Sequence, residues 1–273
     1  MRVGLVQMTG SDDPAANTDA ARAAVGEAAR EGATFVLTPE VTNCVSASRT
    51  RQRQVLRREE DDSTLAALRD EAEREGVWVL IGSLALATDE ERFANRSILI
   101  GPGGQIAARY DKIHMFDVDV SESETYRESA GYRPGDRAVV AQTSFGGVGL
   151  SICYDLRFPY LYRALAKAGA SILTVPSAFS PVTGAAHWEP LLRARAIETG
   201  CFVLAPAQTG RHPTSEGRVR ETYGHGTVVA PWGEVLLDQR IEPGVAVIDI
   251  DLEQVAAARK RIPSLYHDRD FSL

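Results

Sequence analysis

One unit recurs along this chain and limits the folds that it can adopt: a helical pattern, then a glycine, then a short apolar strand. Glycine supplies the left-handed residue that commonly ends a helix, and Gly32, Gly76, Gly169 and Gly200 stand at such places. The predicted helices are residues 15–31, 64–75, 157–168 and 187–199, and the strands that follow them are residues 34–39, 77–85, 171–176 and 201–207. This alternation predicts an α/β protein with its helices on the outside.

Hairpin patterns lie between these units and make the predicted sheet a mixed one. Two pairs of apolar segments are joined by glycine-containing turns, and one more strand follows: residues 93–100 with 105–112, residues 225–230 with 234–238, and residues 245–250. No low-complexity stretch divides the chain, so we expect one domain over residues 1–251. Residues 252–273 are expected to form a C-terminal helix and arm that packs on this domain or on a dimer partner.

The composition disfavours several classes of protein. The 273 residues are 44% hydrophobic and 25% charged, which is typical of a globular protein, and the net charge of −7 disfavours nonspecific binding to nucleic acid. A basic cluster at residues 49–53 is followed by acidic residues at 59–62, and we expect a solvated loop and helix face there. No apolar stretch approaches the ~20 residues of a membrane span. No signal-peptide pattern is present, so a cytoplasmic location is expected.

The three cysteines do not predict a disulfide framework in a chain of this length, and they fit a reducing compartment. Cys44 and Cys201 are interpreted as core residues, because free cysteine is among the most buried residue types. Cys153 differs, since it stands between an apolar strand at residues 145–152 and a helical stretch that starts at Arg157. Backbone N–H groups and the positive end of a helix favour a thiolate at such a position, which suits a nucleophile. A buried structural thiol is the alternative.

Two charged residues at predicted strand ends suit the chemistry of a thiol nucleophile. Glu40 is a candidate base, because a glutamate in a partly apolar pocket has a raised pKa that suits it to take the thiol proton. Lys112 is a candidate for stabilising the oxyanion that forms when Cys153 attacks a carbonyl or nitrile carbon. The backbone N–H of Tyr154 is a candidate second donor. On spacing alone, Glu40 and Lys112 are equally well interpreted as solvated strand ends.

Three segments resemble the nitrilase, or carbon–nitrogen hydrolase, superfamily. They are Leu-Thr-Pro-Glu at 37–40, Tyr-Asp-Lys-Ile-His-Met-Phe-Asp at 110–117 and Ile-Cys-Tyr-Asp-Leu-Arg-Phe-Pro at 152–159. They occur in the order of that family's catalytic triad, glutamate, lysine, then cysteine, and the resemblance spans residues 2 to 251. The pattern is similar to the Nit branch, which includes deaminated-glutathione amidases and ω-amidases. The resemblance implies an α-β-β-α sandwich of two mixed sheets face to face with outer helices, usually as a dimer.

The function implied by this resemblance is that of an amidase that acts through the Glu40–Lys112–Cys153 triad and a thioester intermediate, without a cofactor or metal. It would release ammonia from a small carboxamide, with deaminated glutathione as the best match. Alternative substrates are ω-amides of α-keto acids, N-carbamoyl amines and nitriles. A catalytically silent scaffold or binding protein on the same fold is an alternative of another class, because a fold does not fix a function. The expected partners are the amide, water and further copies of the chain in a homodimer or higher homo-oligomer, but neither nucleic acid nor a membrane.

The resemblance also implies roles for residues around the triad. Glu128 matches a second glutamate that positions the lysine and the incoming water; a loop carboxylate is the alternative. Arg157, four residues after the nucleophile, matches a residue that clamps the substrate's α-carboxylate, a role that suits a bidentate guanidinium. A salt bridge to Asp155 or a position on the helix surface is the alternative for this arginine. Phe179 and Thr183 are its expected neighbours in the acyl pocket.

Overall fold

The computed structural model describes residues 1–121 and 124–272, and two six-stranded sheets dominate this part of the chain. The helices are α1 (Pro14–Arg30), α2 (Arg49–Val55), α3 (Ser63–Glu75), α4 (Pro159–Lys167), α5 (Pro181–Thr199) and α6 (Glu253–Arg261). The strands are β1 (Arg2–Gln7), β2 (Phe35–Leu37), β3 (Trp78–Leu86), β4 (Ala94–Ile100), β5 (Ile106–Asp111), β6 (Asp117–Ser121), β7 (Glu124–Arg127), β8 (Val139–Thr143), β9 (Gly146–Leu150), β10 (Ala170–Thr174), β11 (Phe202–Ala205), β12 (Thr209–Arg211), β13 (Glu221–Tyr223), β14 (Thr227–Val229), β15 (Val235–Asp238) and β16 (Gly244–Asp249).

The helix ends follow local chemistry that the sequence contains. Gly76 (φ 66°) and Gly200 (φ 61°) end α3 and α5 in the left-handed conformation. Helix α5 begins before the predicted residue 187, because Ser180 caps it and Pro181 fits the first turn. Helix α4 begins at Pro159 rather than at residue 157, because a 3-10 turn occupies Cys153–Arg157.

The two large sheets are both mixed, as the hairpin patterns predict. The first has the strand order β16-β1-β2-β3-β4-β5, and the second has the order β15-β14-β11-β10-β9-β8. In the first sheet β1, β2 and β3 run parallel, and in the second β9, β10 and β11 do so. The other neighbouring strands pair antiparallel. The ends of the parallel strands point into loops where side chains from both sheets meet.

The layers of the fold follow from the alternation of side chains along each strand. Phe35 and Leu37 of β2 face a core shared with Val148 and Leu150 of the second sheet, whereas Val36 faces the core under α1 and α3. Helices α4 and α5 contact β10 and β11 on the outside of the second sheet. The α-β-β-α sandwich implied by the resemblance is therefore confirmed.

The C-terminal segment packs back onto the fold. Helix α6 is followed by a 3-10 turn, Ser264–Tyr266, in which Leu265 is 4% exposed and belongs to the main core. This turn contacts α4 and α5. The division into a domain at 1–251 and an appended arm stays a prediction, and the last residue of that arm, Leu273, lies outside the described residues. Within the described chain, no helix has both the length and the apolar character needed to cross a membrane.

Candidate active site

The ends of strands from both sheets bring Glu40, Lys112 and Cys153 to one cavity. Glu40 follows β2 and Lys112 follows β5 in the first sheet, whereas Cys153 follows β9 in the second. All three line a cavity of about 690 Å³. They are only 5%, 2% and 8% exposed, respectively, so Glu40 and Lys112 are not solvated strand ends. The three side chains therefore come together only because the two sheets pack face to face.

The Lys112 ammonium lies between two carboxylates. Its Nζ donates to Oε1 of Glu40 and to Oε1 of Glu128, each at 2.9 Å. The backbone N–H of Phe116 donates to the other oxygen of Glu128 at 2.6 Å, so this glutamate is fixed rather than a free loop carboxylate. Burial alone would lower the pKa of Lys112, but the charges of Glu128 and Glu40 outweigh it and raise that pKa well above its ordinary value. The lysine therefore remains charged.

Glu40 is held by donors that the sequence analysis missed. Asn95 Nδ2 donates to Oε1 at 2.9 Å, and the Ala178 backbone N–H donates to Oε2 at 2.8 Å. Burial raises the pKa of Glu40, but the Lys112 charge and the hydrogen bonds, including that from Asn95, hold it below its ordinary value. The expectation of a raised pKa is therefore wrong, because it counted burial and omitted these donors. The available signal was Asn95 itself, a polar residue within the apolar strand β4.

Cys153 occupies a strained position at the start of the 3-10 turn. Its φ is 49°, in the left-handed region that residues other than glycine rarely adopt and that is often found at functional sites. Burial and the Glu40 carboxylate raise the pKa of the thiol, and Lys112 offsets this only in part. The predicted thiolate beside a helix start is wrong for the resting site, since α4 begins only at Pro159. The Cys153 thiol is therefore protonated until a base takes its proton.

A buried aspartate links the turn that carries Cys153 to the segment that carries Lys112. Asp155 Oδ2 accepts from the Tyr110 hydroxyl at 2.6 Å and from the Ile152 N–H at 2.9 Å. Its Oδ1 accepts from the His114 backbone N–H at 3.1 Å and lies 2.6 Å from Nδ1 of the same residue. Tyr110 and His114 flank Lys112 in the chain, so one carboxylate fixes both the segment that carries Lys112 and the turn that carries Cys153.

Not all of the predicted substrate-binding residues lie at the cavity. Tyr154, Phe179 and Thr183 line the cavity, whereas Arg157 is not among its described lining residues. The guanidinium carbon of Arg157 lies 5.9 Å and 5.5 Å from the ring centroids of Tyr154 and Phe179, and Nη1 lies 3.3 Å from Nδ1 of His187. Its role as a carboxylate clamp stays a prediction.

Other residues line the cavity that the sequence analysis placed elsewhere or passed over. Cys44 was expected in the core; it is buried, yet it also lines the cavity. Arg49 was expected on a solvated face and instead forms part of the wall, as does Arg220. Distant segments meet here, which spacing along the chain does not reveal. The described residues contain no cluster of three or more His, Cys, Asp or Glu side chains placed to bind a metal.

The site is built for proton transfer between a thiol and a carboxylate beside a fixed positive charge. These parts suit nucleophilic attack on an electrophilic carbon whose oxygen becomes negative. Comparison with known proteins agrees with this chemistry, because the carbon-nitrogen hydrolase family model matches residues 2–260.

Individual relatives extend the match over nearly the whole chain. The deaminated glutathione amidase of Yersinia enterocolitica is 41% identical over 241 residues, which are 87% of this chain and 82% of that protein. The protein of the same name from a Synechocystis strain is 40% identical over 266 residues, 96% of each chain. The crystal structure of the Caenorhabditis elegans NitFhit protein has a TM-score of 0.89 at 33% identity, covering 98% of this chain and 65% of that chain. The chain therefore belongs to the carbon–nitrogen hydrolase family.

Proposed function

We propose that this carbon–nitrogen hydrolase is a thiol amidase whose substrate is deaminated glutathione. The observation that carries the proposal is the buried ion cluster of Glu40, Lys112 and Glu128 beside the protonated thiol of Cys153. The names of the relatives at about 40% identity support the choice of substrate. Because the cluster already contains an ionised acceptor and a fixed cation, the chain needs no cofactor for the reaction below.

The first half of the reaction forms a thioester. Glu40 takes the proton from Sγ of Cys153, and the thiolate attacks the amide carbon so that a C–S bond forms. The carbonyl oxygen becomes an oxyanion that the Lys112 ammonium and the Tyr154 backbone N–H stabilise. Glu40 then gives its proton to the leaving nitrogen, the C–N bond breaks, and the amine departs.

The second half of the reaction releases the acid. Glu128 and Lys112 position a water molecule, and Glu40 takes one of its protons as the oxygen attacks the thioester carbon. The C–S bond breaks, the carboxylic acid leaves, and the sulfur of Cys153 takes the proton back. The cycle ends with the same thiol and carboxylate with which it began, so water is the only second substrate.

The cavity has room for a substrate of this size. Its volume of about 690 Å³ is within the range of small-molecule sites, and Phe179, Thr183 and Tyr154 supply an apolar and hydroxyl-bearing wall for the acyl part. In deaminated glutathione the scissile amide is N-substituted, so the leaving amine is cysteinylglycine. Ammonia, the product expected from the sequence, leaves only when the substrate is a primary ω-amide such as α-ketoglutaramate.

A homodimer in the cytoplasm is part of the same proposal. The outer helices of the second sheet carry apolar side chains that are exposed in the single chain, namely Val182 at 59% and Ile197 at 55% on α5, with Tyr160 at 65% on α4. A second copy would bury them. Light scattering after size-exclusion chromatography is expected to give twice the 29.6 kDa mass, and a mass of one chain would contradict the dimer.

The amidase is tested by product analysis with cysteine variants. Wild type is expected to release α-ketoglutarate and cysteinylglycine from deaminated glutathione, whereas Cys153→Ala abolishes turnover without lowering the melting temperature. Cys44→Ala is the matched control, because Cys44 lines the same cavity, and it is expected to remain active. Mass spectrometry after denaturation locates the acyl group on Cys153 if the thioester accumulates. Substantial turnover by Cys153→Ala would refute the mechanism, and turnover of neutral amides alone would refute the substrate.

A further inference from the structure

We propose that Arg49 and Arg220 form a carboxylate site for the leaving-group end of the substrate. The inference rests on the amidase function proposed above and deepens it: the preferred substrates are amides whose amine portion itself ends in a carboxylate. Neither arginine belongs to the catalytic cluster, and the sequence motifs did not single out either of them for this role.

The two arginines reach the cavity from distant parts of the chain. Arg49 begins α2, and Arg220 directly precedes β13. Both line the cavity and both are half-buried. Burial raises the pKa of Tyr132, and the charges of Arg49 and Arg220 both oppose that shift. Two cations on separate elements therefore line the same cavity.

The polar groups around Arg49 hold it in place. Its Nη1 donates to Oε1 of Gln52 at 2.8 Å, and its guanidinium carbon lies 5.1 Å from the ring centroid of Tyr132. Gln52, 3% exposed, donates to the Tyr132 hydroxyl at 2.9 Å and to the Ser46 carbonyl at 3.3 Å. The guanidinium also lies against Gly131, where an added Cβ would come within 1.8 Å of its central carbon. The side chain is therefore preorganised, which reduces the entropy lost on binding.

The positive charges of Arg49 and Arg220 have no carboxylate partner in the described part of the chain. Within residues 1–121 and 124–272, no ion pair joins Arg49 or Arg220 to a carboxylate. Glu40 and Glu128 are engaged by Lys112. The remaining acidic residue described in the cavity lining is Glu221, which is exposed, and Arg218 lines the cavity as well. The wall therefore has excess positive charge, and the planar guanidinium suits a carboxylate.

The position relative to Glu40 identifies which end of the substrate this site binds. The acid that protonates the leaving nitrogen must lie beside the leaving group, and that acid is Glu40. The chain runs from Glu40 through Val41, at φ 49°, and Cys44 to Arg49, and each of these residues lines the cavity. Arg49 is thus part of the same lining segment as the general acid, and we assign it and Arg220 to the leaving-group side.

The test compares three substrates in arginine variants of the full chain. Deaminated glutathione has a carboxylate on its amine portion, its glycinamide analogue lacks that charge, and α-ketoglutaramate has ammonia as its leaving group. Arg220→Gln and Arg49→Gln are expected to raise KM for deaminated glutathione on the order of 10- to 100-fold, the effect of one lost charge-assisted contact. KM for the other two substrates is expected to change little. Arg211→Gln and Arg53→Gln are matched controls, because both side chains are exposed and neither lines the cavity.

Equal losses on all three substrates would overturn the site, because the three share the α-ketoglutaryl acyl group and such losses would place the arginines at the acyl end. Calorimetric binding of deaminated glutathione to Cys153→Ser separates this question from turnover. Binding that weakens with Arg220→Gln and with the glycinamide analogue supports the site even if wild type fails to hydrolyse the compound, an outcome that would refute only the proposed function. Binding that is absent, or indifferent to both changes, overturns the site.

Discussion

The two ends of the cavity differ in how completely their charges are paired. At the reactive end, Lys112 is bonded to Glu40 and Glu128, and both carboxylates accept further hydrogen bonds. At the other end, Arg49 and Arg220 have no carboxylate partner in the described part of the chain. The chemistry is therefore assembled before the substrate arrives, whereas recognition is completed only by the substrate.

This difference in charge pairing indicates what each end of the cavity contributes to binding and to the reaction. Paired and buried charges keep their geometry without a ligand, which is the condition for electrostatic stabilisation of a transition state. Unpaired cations contribute mainly to binding, so we expect changes there to affect KM and changes at the reactive end to affect kcat.

The largest effects are expected from the reactive end. Glu40→Gln keeps the shape of the side chain but removes the proton acceptor, and kcat is expected to fall on the order of a thousandfold for every amide. Lys112→Met is expected to have an effect of similar size, with Lys260→Met as an exposed control. Since Lys112→Met also leaves two buried carboxylates unpaired, its melting temperature must be measured. Rates for Glu40→Gln within about tenfold of wild type would contradict the assignment.

A smaller effect on kcat is expected from the residue that ties the catalytic segments together. Asp155→Asn replaces an acceptor with a donor that faces the Tyr110 hydroxyl or the Ile152 N–H, so the nucleophile shifts relative to Lys112. We expect kcat to fall roughly 10- to 100-fold with KM nearly unchanged, as for a small misplacement of reacting groups.

Tyr110→Phe sharpens the same test, because it removes one of the hydrogen bonds to Asp155 and no charge. Its loss in kcat is expected to be smaller than that of Asp155→Asn. If KM rises in either variant while kcat is retained, the residues do not position the nucleophile. Near-ultraviolet circular dichroism of both proteins distinguishes a local shift from unfolding.

The pH profile tests the ionisation of the reactive end. Because the pKa of Glu40 is lowered, the carboxylate remains charged until the pH falls below the ordinary glutamate value of about 4.3. Wild-type kcat/KM is therefore expected to stay level down to about pH 5 on this limb. Asn95→Leu removes a donor to the charged form, raises the pKa of Glu40 and moves the acid limb upward. If the acid limb of the wild-type kcat/KM profile instead lies near pH 6 to 7, the pKa of Glu40 is raised, as burial alone would predict.

The smallest effect is expected at Arg157. Because this side chain packs against the rings of Tyr154 and Phe179 and is not among the described lining residues of the cavity, Arg157→Lys is expected to change kcat/KM less than about threefold, and equally for acidic and neutral amides. A selective rise in KM for acidic amides would instead support the carboxylate clamp implied by the family resemblance. Measuring both amides in one preparation decides between the two.

The sequence was sufficient to single out Glu40, Lys112 and Cys153, which the structure brings to one cavity, because each ends a strand in a motif that local pattern and resemblance identify together. The helix–glycine–strand units predicted the elements with errors confined to their ends, such as the start of α5 at Pro181. Strand periodicity alone did not predict two sheets face to face, since alternating burial fits an open sheet equally well. The family resemblance was needed for that.

Contacts between distant segments explain the features that the sequence analysis missed. The pKa of Glu40 depends on Asn95 in another strand, and the role of Arg49 depends on a wall shared with Arg220. The composition of a basic cluster followed by an acidic one predicts a solvated surface. Only the tertiary fold shows that Arg49 lines the cavity. The pKa or the role of a charged residue cannot be predicted from its sequence context when it depends on residues from distant parts of the chain.

The protonated state of Cys153 has a consequence for chemical durability. Peroxide and similar oxidants react with thiolates far faster than with thiols, and exposure adds to the risk. Cys153 is 8% exposed and has a raised pKa, so the resting enzyme presents little thiolate to such reagents. In the proposed mechanism, a thiolate forms only by proton transfer to Glu40 when an amide occupies the cavity. We therefore expect oxidation of Cys153 to sulfenic acid to be slow between turnovers.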